Sequence, residues 1–301
     1  MRLLIYGAGV IGSLYAAVFS GAGYDTTVFA RGKRLEAFEE HGLRYEKKGR
    51  IYKANINVIK KLGNGDRYDF IFLTVKENQV YPALEELSFN ISPNIVTMVN
   101  TLEPYENWER ACGKGRVIPA FPGAGGGYEE GVLKAEFLPW IIQPTTFAEI
   151  NGCWSERLER LAGIFQKSGV PYQVARDMHR WQVCHLALVV PIADAYYKAK
   201  DPEAVWLEKD VVAGAAREIQ DNFKTLCHAG IGLSPWKLNS FRLLPVGILK
   251  RIFTVIFRSR FGNLFMYRHA MKAPDEMKRL RGQLYRYLET LAPDSHRPDS
   301  G

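Results

Sequence analysis

The sequence has no apolar run approaching the roughly 20 residues that a helix needs to cross a bilayer. Its cysteines, only four in 301 residues, are far apart, form no C-x-x-C pair and have no histidine at metal-site spacing. Its first residues lack the apolar run and cleavage site of a secretory signal. These absences exclude membrane-spanning, disulfide-stapled and zinc-ribbon classes. We expect a cytoplasmic protein with reduced cysteines, no bound metal and no membrane partner.

The charge balance is basic, at +8, and 47% of the residues are hydrophobic. A chain of this length and composition buries a sizeable core and is typical of about two domains. Lysine and arginine are scattered, without a nucleic-acid-binding motif, so we expect no nucleic-acid partner. The positive charge either attracts an anionic small molecule or is simply a basic surface.

Strand and helix patterns alternate through residues 1–175, which predicts a doubly wound α/β sheet. Polar and apolar residues alternate over 43–58, which indicates an antiparallel hairpin at the sheet edge. The glycine-rich stretch 121–127 is predicted to be a flexible loop. From residue 176 to 292 the period is helical, and 293–301 is polar and predicted to be disordered.

The segment GAGVIG follows the first predicted strand and opens a helix. In a G-x-G-x-x-G loop the first glycine permits a tight turn, the second admits a pyrophosphate and the third lets helix and strand approach. The free N–H groups at the start of the helix favour an anion. We therefore predict a Rossmann-type dinucleotide site formed by Gly7, Ala8, Gly9, Val10, Ile11 and Gly12.

The nucleotide preference depends on Arg31, which lies 19 residues after Gly12, where an NAD site carries an acidic residue. A guanidinium there can bind a 2′-phosphate with two hydrogen bonds, and Lys33 and Arg34 add positive charge. This predicts NADP(H) as the cofactor. The alternative is a glycine-rich turn beside basic surface residues.

The sequence resembles the ketopantoate (2-dehydropantoate 2-) reductase family, most strongly over residues 1–122. The resemblance is carried by the glycine loop with Arg31, the tripeptide Thr74-Val75-Lys76, Asn100 and a helical second domain. The resemblance implies a fold of the 6-phosphogluconate dehydrogenase-like superfamily and NADPH-dependent reduction of a small 2-keto acid between two domains. It implies that Thr74, Lys76 and Asn100 contact cofactor, and that Lys76 lines the cleft. A surface charge at Lys76 and a plain turn residue at Asn100 are the alternatives.

The second domain departs from that family where the family has a proton-donating lysine, because the position is Val183. Shifting the alignment by one residue gives Gln182, whose amide is no general acid at neutral pH. His185, one turn after Trp181, is the candidate replacement, or else a core histidine. Lys76 is the other candidate. Asn263 is the nearest polar substitute for the family's substrate-binding glutamate.

The sequence thus predicts an NADP-binding Rossmann domain over 1–175 and a helical substrate and dimerisation domain over 176–292. We expect an NADPH-dependent reductase of a small 2-keto acid or related carbonyl compound, with Lys76, Asn100 and His185 as catalytic residues. Ketopantoate itself is not the expected substrate, since losing a general acid costs a factor of about 10²–10⁴. A homodimer is compatible with the sequence. The alternative is a noncatalytic NADPH-binding sensor or partner-binding protein.

Overall fold

The computed structural model describes residues 1–291, so the predicted tail 293–301 lies outside the described residues. The chain divides into two compact units, Met1–Met178 and the part from His179 onwards. The predicted domain boundary at residue 175 lies three residues before this division.

The first unit is α/β, and the second is helical. The strands are β1 (Arg2–Tyr6), β2 (Asp25–Phe29), β3 (Arg44–Lys47), β4 (Arg50–Lys53), β5 (Asn57–Ile59), β6 (Phe70–Leu73), β7 (Ile95–Met98), β8 (Val117–Phe121), β9 (Ala124–Glu129), β10 (Val132–Phe137), β11 (Thr145–Phe147) and β12 (Tyr172–Val174). The helices of the first unit are α1 (Val10–Gly21), α2 (Gly32–His41), α3 (Val80–Ser88), α4 (Tyr105–Cys112) and α5 (Glu156–Lys167). The second unit contains α6 (Met178–Lys198), α7 (Lys209–His228), α8 (Asn239–Leu243), α9 (Val246–Arg258), α10 (Arg268–Lys272) and α11 (Pro274–Leu291). The predicted fold class is confirmed.

The main sheet has the strand order β12-β11-β8-β7-β6-β1-β2-β5. The strands from β5 to β8 in this order are parallel, and only the β8–β11 pair is antiparallel. The chain therefore leaves β1 toward β2 on one side and returns through β6 on the other. Open sheets bind ligands at such a switch point, beyond the carboxyl ends of the strands, which here means beyond β1 and β6.

Burial of the central strands explains their continuous apolar sequence. Every residue of β6 and β7 is buried, as expected for parallel strands covered on both faces. On one face, α1 and α5 bring Phe19 and Phe165 against Phe72 of β6, with ring centroids 4.9 and 6.1 Å from its ring. This aromatic cluster anchors α1, the helix that begins at the glycine loop.

The hairpin expectation for residues 43–58 is partly correct. Strands β3 and β4 do pair in antiparallel fashion, but they join β9 and β10 in a separate four-stranded sheet. The edge of the main sheet is instead β5, which pairs in parallel with β2. The sequence pattern indicated the hairpin correctly, but the sheet it joins is chosen by the distant strand β10, of which Leu133 pairs with Tyr45.

The expectation of a flexible loop over residues 121–127 is wrong. Gly125, Gly126 and Gly127 lie in β9, which pairs along its length with β10, and Gly123 lies in the short connection from β8. Glycine is needed here for close approach: at Gly126, φ is +148°, and a Cβ would lie 2.3 Å from the carbonyl oxygen of Lys134. The run of glycines allows tight strand contact, rather than a loop.

The second unit is built from amphipathic helices. Helix α9 buries Leu249, Phe253 and Phe257 on one stripe, and its neighbours include α7. This stripe packs α9 within the second unit. No helix of the described residues is both long and apolar enough to span a bilayer.

We predict that Phe72→Ala lowers the free energy of unfolding of the first unit by about 3–5 kcal/mol, since it leaves a cavity in the aromatic cluster. Phe72 is 0% exposed. The control is Phe89→Ala, whose side chain is 70% exposed and which we expect to be nearly neutral. Urea unfolding followed by circular dichroism measures both. Equal stability of the two variants would contradict this account of the core.

Candidate functional site

The loop between β1 and α1 is held by the neighbouring strand. The Thr74 hydroxyl donates a hydrogen bond of 2.8 Å to the carbonyl oxygen of Gly7, and the Thr74 amide donates one of 2.9 Å to Tyr6. Gly7 has φ +120°, a conformation that disfavours a side chain. The end of β6 therefore sets the shape of the turn that follows β1.

The three glycines of the loop differ in how much space the protein leaves for a side chain at each position. A Cβ at Gly12 would lie 2.0 Å from the carbonyl oxygen of Gly7, and a Cβ at Gly7 would lie 2.9 Å from that of Thr74. A Cβ at Gly9 would meet no atom within 4 Å. The protein itself thus requires Gly7 and Gly12, whereas Gly9 leaves open space in front of the loop.

Helix α1 starts at this open space. Gly9 is its N-cap residue, and no side chain caps its first N–H groups. Unpaired N–H groups at a helix N-terminus attract an anion, and the helix dipole adds to that attraction. The residues from Gly7 to Gly12 therefore fit the pyrophosphate of a dinucleotide.

Arg31 lies between β2 and α2, beside the ends of β1 and β2. Its Nη2 donates to the Glu86 carboxylate oxygen Oε2 at 2.5 Å, and its guanidinium lies 4.5 Å from the ring centroid of Phe29. The Tyr6 hydroxyl donates to the same Glu86 oxygen at 2.5 Å. We call Tyr6, Phe29, Arg31 and Glu86 the Arg31 cluster.

Sequence reasoning missed Glu86, which lies on α3, 55 residues from Arg31. No local pattern links the two positions, because their contact arises only when β2 and α3 are brought to the same edge of the sheet. The basic group around Arg31 is also less concentrated than expected. Arg34 stacks over Tyr128 of β9, with its Cζ 3.6 Å from the ring centroid.

Lys76 and Asn100 follow neighbouring strands. Lys76 is exposed and directly precedes a 3-10 turn, Glu77–Gln79, after β6. Asn100 follows β7, and its Oδ1 is buried with no hydrogen-bond partner in the part of the chain that the structure describes. Because β6 and β7 pair in parallel, both residues lie at the edge where the glycine loop opens. A buried unpaired acceptor is costly, which makes Asn100 a candidate for ligand contact.

No group of three or more histidine, cysteine or acidic side chains suited to a metal ion occurs within residues 1–291. The polar features at the edge beyond β1, β6 and β7 are the loop, Lys76 and Asn100. A helix N-terminus, an ammonium and an amide together suit an anionic ligand with hydrogen-bonding groups.

The family model "Ketopantoate reductase PanE/ApbA" matches residues 3–136, which contain this loop and edge. Over these residues the chain is similar to the ketopantoate reductase family. The predicted resemblance to this family is confirmed there. A curated relative, the 2-dehydropantoate 2-reductase of Mesorhizobium japonicum, is 33% identical over 103 residues, which are 33% of this chain and 32% of the relative. The chain spans about a third of the length of the curated relatives it matches.

Solved structures show the same fold over nearly the whole chain. The PanE/ApbA family ketopantoate reductase of Ralstonia eutropha has a TM-score of 0.64 at 14% identity, covering 97% of this chain and 99% of that one. The D-mandelate dehydrogenase in a ternary structure with NADH and anilino(oxo)acetate has a TM-score of 0.60 at 14% identity, covering the same shares. The second, helical unit thus also has the fold of these structures, at low sequence identity.

Helix α6 carries the residues of the second unit that we considered as proton donors. Val183 and Gln182 are both fully buried. His185 is 8% exposed and stacks on Trp181, with ring centroids 5.0 Å apart and planes 10° apart. Burial, reinforced by nearby His269, lowers the pKa of His185 to about 3. This lowered pKa keeps the imidazole neutral at physiological pH and does not favour His185 as the proton donor, so that role stays a prediction.

The predicted substitute for the family glutamate, Asn263, lies in a π-helical turn, Gly262–Tyr267. It is exposed, and its Oδ1 accepts a hydrogen bond of 3.2 Å from Arg268 Nε. Its carbonyl oxygen therefore already serves a neighbour within the second unit.

We predict that Gly9→Ala leaves stability nearly unchanged but weakens dinucleotide binding by on the order of tenfold, about 1.4 kcal/mol, since the methyl group enters the open space. Gly12→Ala should instead destabilise the first unit by about 1–3 kcal/mol, because its methyl meets the Gly7 carbonyl. Thermal unfolding and fluorescence titration with NADPH separate the two effects. A Gly9→Ala variant that binds normally would show that no ligand uses this space.

We also predict a pH effect from His185. Below about pH 6.5 the unfolded chain protonates this imidazole, while the folded protein keeps it neutral down to about pH 3. The unfolded state then binds more protons, so stability falls as pH falls through this window, by up to about 1.4 kcal/mol per pH unit. His185→Asn should flatten the slope, measured by urea unfolding from pH 7 to pH 4. His228→Asn, at an exposed site, should keep it; equal slopes in all three proteins would contradict the assignment.

Proposed function

We propose that the chain is an NADPH-dependent reductase of a small 2-keto acid or related carbonyl compound. The observation that carries this proposal is the shared edge of β1, β6 and β7. Three features lie there at the ends of adjacent strands: the uncapped N-terminus of α1, the exposed Lys76, and the buried Asn100 Oδ1, which has no hydrogen-bond partner among the described residues. Relatives named 2-dehydropantoate 2-reductase support reductase chemistry.

Each residue of that edge has a distinct task in the proposal. The backbone N–H groups of the Gly7–Gly12 loop would hold the pyrophosphate of a nicotinamide nucleotide, which would supply the hydride when bound in its reduced form. Thr74 keeps that loop in shape through its hydrogen bond to Gly7. The Asn100 Oδ1 would accept a hydrogen bond from the nucleotide or the substrate. Lys76 attracts the carboxylate of a 2-keto acid and stabilises negative charge that develops on the reacting oxygen.

The proton donor follows from what the second unit lacks. A valine at position 183 has no proton to give, and the neutral His185 imidazole is a hydrogen-bonding group, rather than an acid. Lys76 is the remaining candidate and is the donor we propose. Because the family lysine is absent, a carbonyl compound other than ketopantoate is the proposed substrate.

The neighbouring D-mandelate dehydrogenase structure holds NADH and an oxo acid, anilino(oxo)acetate. This supports a 2-keto acid as the substrate class of our proposal, because that compound carries an amide carbonyl beside a carboxylate, an arrangement similar to that of a 2-keto acid. The noncatalytic sensor is not favoured, since the curated relatives bear the names of enzymes. A cytoplasmic location and a homodimer stay predictions.

We predict that purified protein oxidises NADPH in the presence of a small 2-keto acid from a panel that includes ketopantoate. Lys76→Ala should lower kcat/KM by a factor of about 10²–10⁴ through loss of the proton donor. Lys114→Ala is the matched control, because that exposed lysine precedes β8 at the opposite edge of the sheet. The decrease in NADPH absorbance measures the activity of the wild-type protein and of both variants.

Two results would overturn the proposal. Full activity of Lys76→Ala would remove Lys76 as the proton donor. Tight NADPH binding without turnover of any carbonyl compound in the panel would favour the sensor instead.

A further inference from the structure

The Arg31 cluster contains a negative charge where the proposed cofactor would place another. Arg31 Nη2 and Glu86 Oε2 are 2.5 Å apart, so the carboxylate uses a guanidinium N–H that a 2′-phosphate would need. The Arg31 side chain is 64% exposed and that of Glu86 is 34% exposed. The pair is therefore accessible to a ligand at the ends of β1 and β2.

Glu86 is held in this position by a second donor. Burial, together with the hydrogen bond to Glu86, raises the pKa of Tyr6, so its hydroxyl stays protonated and donates to that carboxylate. The Tyr6 ring in turn packs on Phe29, with centroids 4.5 Å apart. The carboxylate thus stays next to Arg31 even when the exposed ion pair opens.

The two nicotinamide nucleotides would meet this carboxylate differently. A 2′-phosphate carries about two negative charges at neutral pH, so it is repelled by Glu86 while it is attracted by Arg31. A ribose 2′-hydroxyl is uncharged and can donate a hydrogen bond to a carboxylate, as it does to the acidic residue of NAD sites. One cluster therefore contains a recognition group for each nucleotide.

We infer that Glu86 sets the nucleotide preference of this site by opposing the 2′-phosphate that Arg31 attracts and by accepting a hydrogen bond from the unphosphorylated ribose. This inference rests on the proposed function. It adds that the chain uses NADH as well as NADPH, with a narrow preference between them. Glu86 acts here as a specificity-determining residue.

The test compares Glu86→Gln with Glu85→Gln. The amide introduced by Glu86→Gln can still accept a hydrogen bond from Tyr6 but has no charge. Glu85 precedes Glu86 on α3 and is exposed, so the control removes the same charge from the same helix away from Arg31. Dissociation constants for NADPH, NADH and adenosine 2′-monophosphate are measured at low ionic strength, because salt screens exposed charges.

In wild type we expect the NADPH and NADH dissociation constants to lie within about tenfold of each other. Glu86→Gln should tighten NADPH and adenosine 2′-monophosphate binding by about tenfold or more, and should leave NADH binding equal or weaker. Glu85→Gln should keep the wild-type ratio. Thermal unfolding of the nucleotide-free proteins shows that the variants are folded.

The outcomes separate this inference from the proposed function. If both nucleotides bind but the NADPH to NADH ratio is the same in wild type and Glu86→Gln, the ion pair is merely structural and the inference is wrong. A strong wild-type preference for NADPH would also overturn it. Failure of every folded protein to bind either nucleotide would overturn the proposed function itself.

Discussion

Helix α1 approaches strand β1 so closely that a Cβ at Gly12 would lie 2.0 Å from the carbonyl oxygen of Gly7. This contact determines where the helix begins and which way its first N–H groups face. The aromatic cluster around Phe72 fixes the C-terminal part of α1, because Phe19 of α1 packs against Phe72. Since β6 contributes both Phe72 and the chain that leads to Thr74, core packing and loop geometry are linked through one strand.

The same strand order explains why distant residues meet at one edge. Reversal of the chain direction across the sheet between β1 and β6 leaves a crevice beyond their carboxyl ends. The segments that follow β1, β6 and β7 carry, in turn, the glycine loop, Lys76 and Asn100. Parallel pairing therefore brings the glycine loop, Lys76 and Asn100 to the same edge of the sheet.

Helix α6 of the second unit carries Gln182, Val183 and His185 where we expected a proton donor. Val183 and Gln182 are buried without charge, and His185 is kept neutral by burial against Trp181. Uncharged side chains at these three positions avoid the cost of a buried ammonium. Proton transfer then has to be assigned to the first unit, which is why the proposed mechanism depends on Lys76.

Much of the first unit could be predicted from local sequence. Continuous apolar runs such as Phe70–Leu73 indicate buried parallel strands, and the spacing of Gly7, Gly9 and Gly12 identifies the loop, because these signals act over a few residues. The glycines of β9 were misread as a loop because close strand contact and flexibility use the same residue. The pairing of Arg31 with Glu86 and the neutrality of His185 were decided only by tertiary structure. Both depend on residues from distant elements meeting and on exclusion of water, which no local pattern encodes.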